Sequence, residues 1–232
     1  KMKSIDVVIV SDSKNDYLRS LTQQTIDTAI NNERSAEVNV IVVEFRDYVF
    51  FNAETIRQEG EFCYNKFLNK GASLGKSEYI AFCNNDLIFG NNWASILISE
   101  MEENNVSSAC PYCPESNYMN KTGIEKDTGV YFGYEIRKEF IGWIFVWKRE
   151  LWNKIKLDED IKFWASDNAC ARQLIDAREK HILVTNSIVK HVWNGSNTLN
   201  TVPPQDRDEL MHKQVKIFNK LYKENYFGLG EE

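Results

Sequence analysis

The sequence has no long hydrophobic run. Its opening stretch, KMKSIDVVIV, starts with basic residues, but the apolar part is too short for a membrane span and no small-residue cleavage site follows. We therefore expect no transmembrane segment and no secretory leader, and we expect a cytoplasmic protein.

An excess of positive charge is also missing. The 232 residues carry a formal net charge of −6, and the sequence pI is about 5.3. A protein that covers the phosphate backbone of a nucleic acid needs clustered lysines and arginines. The composition argues against such a footprint, and 43% hydrophobic with 27% charged residues is typical of a globular domain.

Paired metal-ligating side chains are scarce. The chain has three histidines and five cysteines, an odd number. Cys110-Pro-Tyr-Cys113 is one CxxC motif, but a structural zinc site needs a second ligand pair, and neither a second CxxC nor a close histidine pair exists. We expect two unlinked thiols on a loop at this motif, and buried free cysteines in a reducing compartment.

Two glycine-rich nucleotide loops are absent. No G-x-G-x-x-G follows the first predicted strand, which argues against a dinucleotide site. The segment GASLGKS (71–77) is similar to a P-loop, but it is one residue short and precedes a strand, whereas a P-loop follows one. The chain therefore lacks the signature of a P-loop nucleotide hydrolase.

Strand and helix patterns alternate over the first hundred residues. Continuous runs rich in β-branched residues predict buried strands over 5–10, 38–44 and 79–83. Helical patterns follow them over 18–30, 60–71 and 93–101. This alternation predicts an α/β fold with a single doubly wound sheet, mixed but mostly parallel, flanked by helices. Ligands of such sheets bind beyond the carboxyl ends of the strands.

The second half is less regular. Strands are predicted over GVYFGY, IGWIFVW and ILVTNSIV, and helices over RELWNKI and ASDNACARQLIDARE. After Pro203 and Pro204, a final helix carries Val215 and Phe218 on its apolar face. The sequence shows no internal repeat and no low-complexity tract.

The predicted strand over 79–83 runs straight into Asn84, Asn85 and Asp86. Residues two apart on an extended chain point the same way, so Asn84 and Asp86 would share a side at the end of this strand. An amide and a carboxylate there make a hard oxygen site, suited to Mg²⁺ or Mn²⁺ bridging to a diphosphate. A plain strand-to-loop turn is the alternative, because the same residues are good turn formers.

The run NKGASLGKSEYIAFCNNDLIF resembles the core of the family 2 glycosyltransferases of the GT-A fold. There an Asn-x-Gly segment, small residues and a Glu-Tyr-Ile strand lead to a DxD-type motif, and the Asn-Asn-Asp form resembles rhamnosyltransferase-like members. Further segments resemble the family in the same order, over roughly residues 4–200: VVIVSDSKNDYLRSLTQQTIDTAI, VIVVE, GWIFVWKRELWNKI, LDEDIKFWASDNACARQL and HVWNGSNT.

The resemblance implies a GT-A domain over 1–202, with a nucleotide-sugar-binding half (1–105) and an acceptor-binding half (106–202). A C-terminal helical extension (203–232) would pack on the same domain. The implied activity is that of an inverting, metal-dependent glycosyltransferase, a hexosyl- or pentosyltransferase, which moves a sugar from a UDP- or dTDP-linked donor by direct displacement. The acceptor stays open between a glycan, a protein and a modified nucleic-acid base.

The resemblance also implies roles for three residues. Asp167 would be the general base that takes the proton of the acceptor hydroxyl. Asp86 and His191 would hold Mn²⁺ or Mg²⁺ at the donor diphosphate, with Ser196 following in the same segment. Asp167 could instead be an acid of a first helical turn, and a lone histidine at a strand end is often structural.

Further contacts to the nucleotide-sugar donor are predicted at the strand ends and in nearby polar segments. They are Ser11, Asp12, Glu44, Arg46, Asn69, Lys76, Asn84 and Asn85, together with Asp86. Asn84 would hold the ribose or a metal-bound water. The general polarity of loops is an alternative explanation for six of these residues: Ser11, Asp12, Glu44, Arg46, Asn69 and Lys76.

The sequence departs from the family pattern at three positions. Asn84 stands for the usual first aspartate, Ser166 for the glutamate before Asp167, and Glu44 for a common aspartate. The departures at Asn84 and Ser166 keep one alternative open, a catalytically retired GT-A fold that acts as a glycan- or nucleic-acid-binding module. A nucleotidyltransferase is a second alternative, because it also sets an α/β sheet and an acid–metal site against a nucleotide, although the segment SDSKND after the first strand lacks the glycine expected of its phosphate loop.

Overall fold

The structure is a computed structural model, and it describes residues 2–114, 119–192 and 204–225. The strands of these ranges are β1 (Lys3–Ser11), β2 (Ala36–Glu44), β3 (Glu54–Arg57), β4 (Tyr79–Cys83), β5 (Leu87–Phe89), β6 (Ser108–Tyr112), β7 (Val130–Phe132), β8 (Ile144–Lys148) and β9 (His181–His191). The helices are α1 (Asp16–Asn31), α2 (Tyr64–Leu74), α3 (Trp93–Glu103), α4 (Met119–Thr122), α5 (Arg149–Lys154), α6 (Ser166–Asp176) and α7 (Pro204–Tyr222).

The strands form one sheet in the order β3-β2-β1-β4-β8-β6-β9-β5, with β7 also paired to β9. β1 to β4 are parallel to one another, β8 is antiparallel to β4 and β6, and β9 is parallel to β6. β5 and β7 are antiparallel to β9. Of the strands described, six therefore run one way (β1, β2, β3, β4, β6, β9) and three the other way. The predicted α/β fold with a mixed, mostly parallel sheet is confirmed.

The two faces of the sheet carry separate cores, because successive side chains of a strand point to opposite faces. Ile5, Val7 and Ile9 of β1 belong to the core that includes α1 and α3. Val8 and Val10 belong to the core that includes α2. The nearly continuous apolar run of β1 is therefore explained by burial on both faces.

The sequence patterns missed three strands. β3 and β5 are only four and three residues long, too short for a period of two to appear. β6 reads SACPY and contains a proline, which argues against a strand in a sequence. The loop expected at the CxxC motif is therefore wrong for Cys110, which lies within β6, while Cys113 follows just after it. All five cysteines are free and buried, as predicted.

The outer edge of β5 is held by side chains of α1 and of Asn32, the residue after this helix, in place of another strand. Thr25 Oγ1 accepts from the Leu87 N–H (2.9 Å) and lies 3.1 Å from the Leu87 carbonyl oxygen. Thr28 Oγ1 accepts from the Phe89 N–H (3.2 Å), and Asn32 Nδ2 donates to the Phe89 carbonyl (2.6 Å). Because buried backbone groups must be paired, this polar face of α1 fixes the position of β5.

The last helix, α7, packs on α6. Phe218 of α7 shares a small core with Ile161 and Ala169. Gln214 Oε1 accepts from the N–H groups of Phe163 and Trp164, at 2.8 Å each. The division of the chain into a donor half, an acceptor half and an extension remains a prediction. In the part of the chain that the structure describes, every helix is too short or too polar to cross a membrane.

Candidate active site

One edge of the sheet carries the carboxyl ends of the parallel strands. β1, β2, β4 and β9 run in the same direction, so their carboxyl ends lie along this edge. β8 runs the other way, so the two residues before it, Gly142 and Trp143, reach the same edge. The polar segments that follow the strands therefore meet here, as the ligand-binding edge of such a sheet requires.

Asp86 and His191 face each other at this edge. His191 Nε2 lies 3.2 Å from Asp86 Oδ1, and the two side chains are 13% and 4% exposed. The ring of Trp143 stacks on the imidazole, with a centroid distance of 5.1 Å and an interplanar angle of 14°. The Val192 N–H donates to the Asp86 carbonyl (2.9 Å), so the residue after β9 also fixes the backbone at this position.

The neighbouring Asn85 is turned away from Asp86 and toward α1. Asn85 Nδ2 donates to Thr22 Oγ1 (3.0 Å), and Ser11 Oγ lies 3.0 Å from the same hydroxyl. Thr22 in turn donates to the Leu18 carbonyl of its own helix (3.1 Å). This buried chain of hydrogen bonds ties α1 to the ends of β1 and β4.

Asp167 lies in the first turn of α6, one residue after Ser166. Ala165 occupies the cap position, so Asp167 is not the helix cap. Asp167 Oδ1 accepts from the Asn168 N–H (2.9 Å). Burial raises the pKa of Asp167 above the ordinary value of an aspartate, while this N–H and the charge of Arg137 act in the opposite direction.

Gly142 and Trp143 connect Asp167 with the Asp86–His191 pair. A Cβ atom added at Gly142 would lie 2.7 Å from Asp167 Cβ and 2.9 Å from its Oδ2, so this glycine is in close contact with the carboxylate. The next residue, Trp143, stacks on His191 and accepts from the Asn84 N–H (2.9 Å). Two consecutive residues therefore touch both the Asp86–His191 pair and Asp167.

The hydroxyl of Tyr64 lies at the same edge of the sheet, next to Asn84. Burial raises the pKa of Tyr64 well above its usual value, and the charges of Asp86 and Asp167 both contribute to the increase. The hydroxyl donates to Asn84 Oδ1 (2.7 Å).

A cleft of about 70 Å³ opens beside these residues. It is lined by Val10, Ser11, Asp12, Phe62, Tyr64, Asn84, Asn85 and Phe163. The structure thus brings together four of the residues predicted to contact the donor. The cleft is smaller than the roughly 300–1,000 Å³ of ordinary ligand sites, and the rings of Phe62 and Phe163, 6.0 Å apart, narrow it.

Asp12, Glu44 and Arg46 lie at the same edge of the sheet. Their hydrogen bonds join the segment after β1 to the segment after β2. Arg46 Nε donates to Asp12 Oδ1 (2.6 Å). The fully buried Glu44 accepts through Oε1 from the N–H groups of Ser13 (3.0 Å) and Arg46 (2.7 Å). The three residues thus clamp the segment after β1 to the segment after β2.

Asn69 and Lys76 are not brought to this group. Asn69 is buried in α2, where it donates to the Leu157 carbonyl (2.8 Å) and accepts from Trp152 Nε1 (3.0 Å). Lys76 precedes the amino end of β4 and lines a separate groove of about 610 Å³ with Asp6 at the opposite edge of the sheet. We therefore leave both residues out of the proposed site.

Comparison with known proteins decides the family. A model of glycosyl transferase family 2 matches residues 1–161, more than half of the chain. The chain belongs to glycosyl transferase family 2. No curated protein matches it.

The chain is also similar to a solved structure, the crystal structure of GalNAc-T7 with UDP, GalNAc and Mn²⁺. The identity is 13%, the TM-score is 0.63, and the match covers 82% of this chain and 44% of that one. The family 2 chain therefore spans less than half the length of this neighbour. The likeness establishes the shared GT-A fold.

The Asp86–His191 pair of this family 2 chain has the spacing of two ligands of a divalent cation. Adjacent ligands of an octahedral cation at about 2.1 Å lie about 3 Å apart, and the Asp86–His191 distance is 3.2 Å. A carboxylate and an imidazole are suitable donors for Mn²⁺ or Mg²⁺. Within the described ranges no group of three or more acidic, histidine or cysteine side chains could hold a metal. The pair therefore fits a cation that takes its other ligands from phosphate and water. Ser196 lies outside the described residues.

Sequence reasoning missed four residues of this site: Thr22, Tyr64, Gly142 and Trp143. Thr22 and Tyr64 looked like ordinary members of amphipathic helices. Gly142 and Trp143 appeared as the start of a strand, yet β8 begins at Ile144. A glycine directly before an aromatic strand was the available signal, because it often marks close approach of another chain segment.

Proposed function

We propose that this family 2 chain is an inverting glycosyltransferase that moves a sugar from a UDP- or dTDP-linked donor to an acceptor hydroxyl. Asp167 is the general base, and Asp86 with His191 forms the metal–diphosphate site. The observation that carries the proposal is the contact of Gly142 with Asp167 and of Trp143 with His191. It supports a single reaction centre built from segments far apart in sequence.

Asp167 has the properties that a base for a hydroxyl group needs. Its carboxylate is on the first turn of α6, where it accepts from the Asn168 N–H and is in close contact with Gly142. Burial raises the pKa of Asp167, which moves its proton affinity toward that required at neutral pH. In the proposed step Asp167 accepts the proton as the acceptor oxygen attacks the anomeric carbon from the side opposite the leaving diphosphate.

The other end of the site would receive the negative charge of the leaving group. A divalent cation, when bound, neutralises the charge that develops on the diphosphate. Asp86 supplies the carboxylate and His191 the imidazole, and the stack with Trp143 holds that imidazole in place. The GalNAc-T7 neighbour was solved with UDP and Mn²⁺, which supports this choice of donor and ion.

The nucleoside part of the donor is assigned to the cleft beside Ser11, Asp12 and Asn84. Because the cleft is small, the segments that carry Phe62 and Phe163 must separate for the donor to enter. The acceptor is proposed to approach from the side of Asp167. Its chemical class, like the rhamnosyltransferase-like character of the chain, remains a prediction.

A donor-hydrolysis screen tests the proposal without knowledge of the acceptor. UDP- and dTDP-sugars are incubated with the protein and Mn²⁺, and release of the nucleoside diphosphate is measured. We expect one donor to be hydrolysed. Asp167→Asn should then abolish sugar transfer to an acceptor hydroxyl, because it removes the base and keeps the shape. Asp176→Asn, at the exposed end of the same helix, is the matched control and should retain activity.

The metal site has its own test. EDTA should abolish turnover, and Asp86→Ala should weaken Mn²⁺-dependent binding of UDP or dTDP in calorimetry. Undiminished transfer in EDTA would overturn the metal role. Tight nucleotide binding without hydrolysis of any donor would instead favour a retired fold that acts as a binding module.

A further inference from the structure

We propose that Asn84 donates its side-chain amide to an anionic oxygen of the donor diphosphate, and that Tyr64 is the positioning residue that sets the amide in this orientation. This inference rests on the proposed function. It replaces the roles expected from the sequence, in which Asn84 holds the ribose or a metal-bound water.

Asn84 is held at its backbone N–H and at its side-chain oxygen. Its backbone N–H donates to the Trp143 carbonyl (2.9 Å), and its Oδ1 accepts from the Tyr64 hydroxyl (2.7 Å). The other side-chain atom, the nitrogen Nδ2, has no protein acceptor within the described ranges. Asn84, two residues before Asp86 in the chain, lines the cleft together with Asp12. The side-chain group that Asn84 can offer to a ligand is therefore its NH₂, a hydrogen-bond donor.

Tyr64 is built to keep this orientation. The residue is 7% exposed, and its ring packs edge-on against Phe163 with a centroid distance of 5.9 Å. A phenol with an ordinary pKa of about 10 is protonated at neutral pH and can donate its proton. Because the donated proton occupies Oδ1, the amide cannot turn that oxygen toward the cleft without breaking the bond.

The chemistry of the position follows from this orientation. An amide N–H stabilises a phosphate oxygen, whereas a carboxylate at the same place repels it. Asn84 therefore adds a neutral donor beside the diphosphate. An aspartate there, as in most of the family that the sequence resembles, would have to act as an acceptor.

Substitutions at Asn84 test whether its side chain acts as a hydrogen-bond donor or as an acceptor. Binding of UDP and dTDP in the presence of Mn²⁺ is measured by calorimetry for the wild type, Asn84→Ala and Asn84→Asp. We expect Asn84→Ala to weaken binding about 10- to 100-fold, the range for a hydrogen bond to a charged group. Asn84→Asp should weaken it further. Binding by Asn84→Asp that equals or exceeds the wild type would overturn the inference, because it would show that an acceptor is wanted at this position.

The role of Tyr64 is tested by a double-mutant cycle. Tyr64→Phe keeps the ring and should weaken nucleotide binding about 2- to 10-fold. If Tyr64 acts through Asn84, the double variant Tyr64→Phe/Asn84→Ala should bind as Asn84→Ala does. Additive losses would overturn the positioning role. Tyr134→Phe is the matched control, since its hydroxyl donates to the Glu179 carbonyl (2.7 Å) at the opposite edge of the sheet and should leave binding unchanged.

The outcomes also distinguish this inference from the proposed function. If the wild type binds neither nucleotide with Mn²⁺, the proposed function itself fails. If the wild type binds but Asn84→Ala binds equally well, only the inference on Asn84 fails. Thermal unfolding of each variant verifies that the fold is kept, and the partly exposed Asn84 variants carry the test if Tyr64→Phe does not fold.

Discussion

Replacing Thr25 with valine tests whether the polar face of α1 holds the segment that carries Asp86. Valine has nearly the shape of threonine, so the packing around this fully buried residue is kept. What is lost is the hydroxyl that accepts from the Leu87 N–H (2.9 Å) and lies 3.1 Å from the Leu87 carbonyl. Leu87 is itself fully buried, so water cannot replace these bonds.

The magnitude follows from the Leu87 N–H, which is left without a partner, and from the Leu87 carbonyl, which shares the single hydroxyl proton with the Leu21 carbonyl (3.0 Å). Each buried polar group that loses its hydrogen bond costs about 1–3 kcal/mol. We expect Thr25→Val to lower the free energy of unfolding by about 3 kcal/mol. This is a large fraction of the roughly 5–15 kcal/mol that stabilises a typical domain.

The assay is urea unfolding followed by circular dichroism, with the stability taken from the midpoint at constant slope. Native-state hydrogen exchange should show faster exchange of the Leu87 amide, because local opening becomes easier. The control is Ser20→Ala on the same helix, whose exposed hydroxyl donates to the Tyr17 carbonyl (2.7 Å) and should change stability by less than about 0.5 kcal/mol. A Thr25→Val protein as stable as the wild type would refute the idea that α1 substitutes for a strand.

Three further predictions concern the site and its surroundings. Gly142→Ala should displace Asp167 and lower kcat on the order of 100-fold with a smaller change in KM, and an unchanged kcat would contradict the close contact. Because burial raises the pKa of Asp167, kcat/KM should rise with pH through a pKa above the 3.8 of an ordinary aspartate, and a pH–rate profile with no such acidic limb would argue against this base. Burial lowers the pKa of His181 from 6.5 to about 4. The free energy of unfolding should therefore fall by up to about 3 kcal/mol as the pH drops from 6.5 to 4. An NMR titration in which this imidazole has a pKa near 6.5 would contradict the prediction.

The order and type of the main elements could be predicted from local patterns. The buried runs that became β1, β2 and β4 needed no tertiary information, because continuous β-branched sequence on both faces is typical of a parallel strand. β5 and β6 could not be found in this way. One has three residues, and the other carries a proline whose position becomes acceptable only once its neighbours are known.

The candidate site was predicted unevenly for the same reason. Asp86, Asp167 and His191 stood out by residue type and by their place in a family pattern. The geometry brings Trp143 onto His191 and Gly142 onto Asp167, and this depends on β8 running against β4. Lys76 was predicted to contact the donor, yet the length of β4 places it and Asp86 at opposite edges of the sheet.

By itself, the sequence determined that this chain alternates strands and helices and that amides and acids follow its buried strands, because burial and turn formation are local properties of the residues. The tertiary structure decided which of those polar groups meet. Strand direction and the order of strands in the sheet set that outcome, and both arise from pairings between residues far apart in the chain.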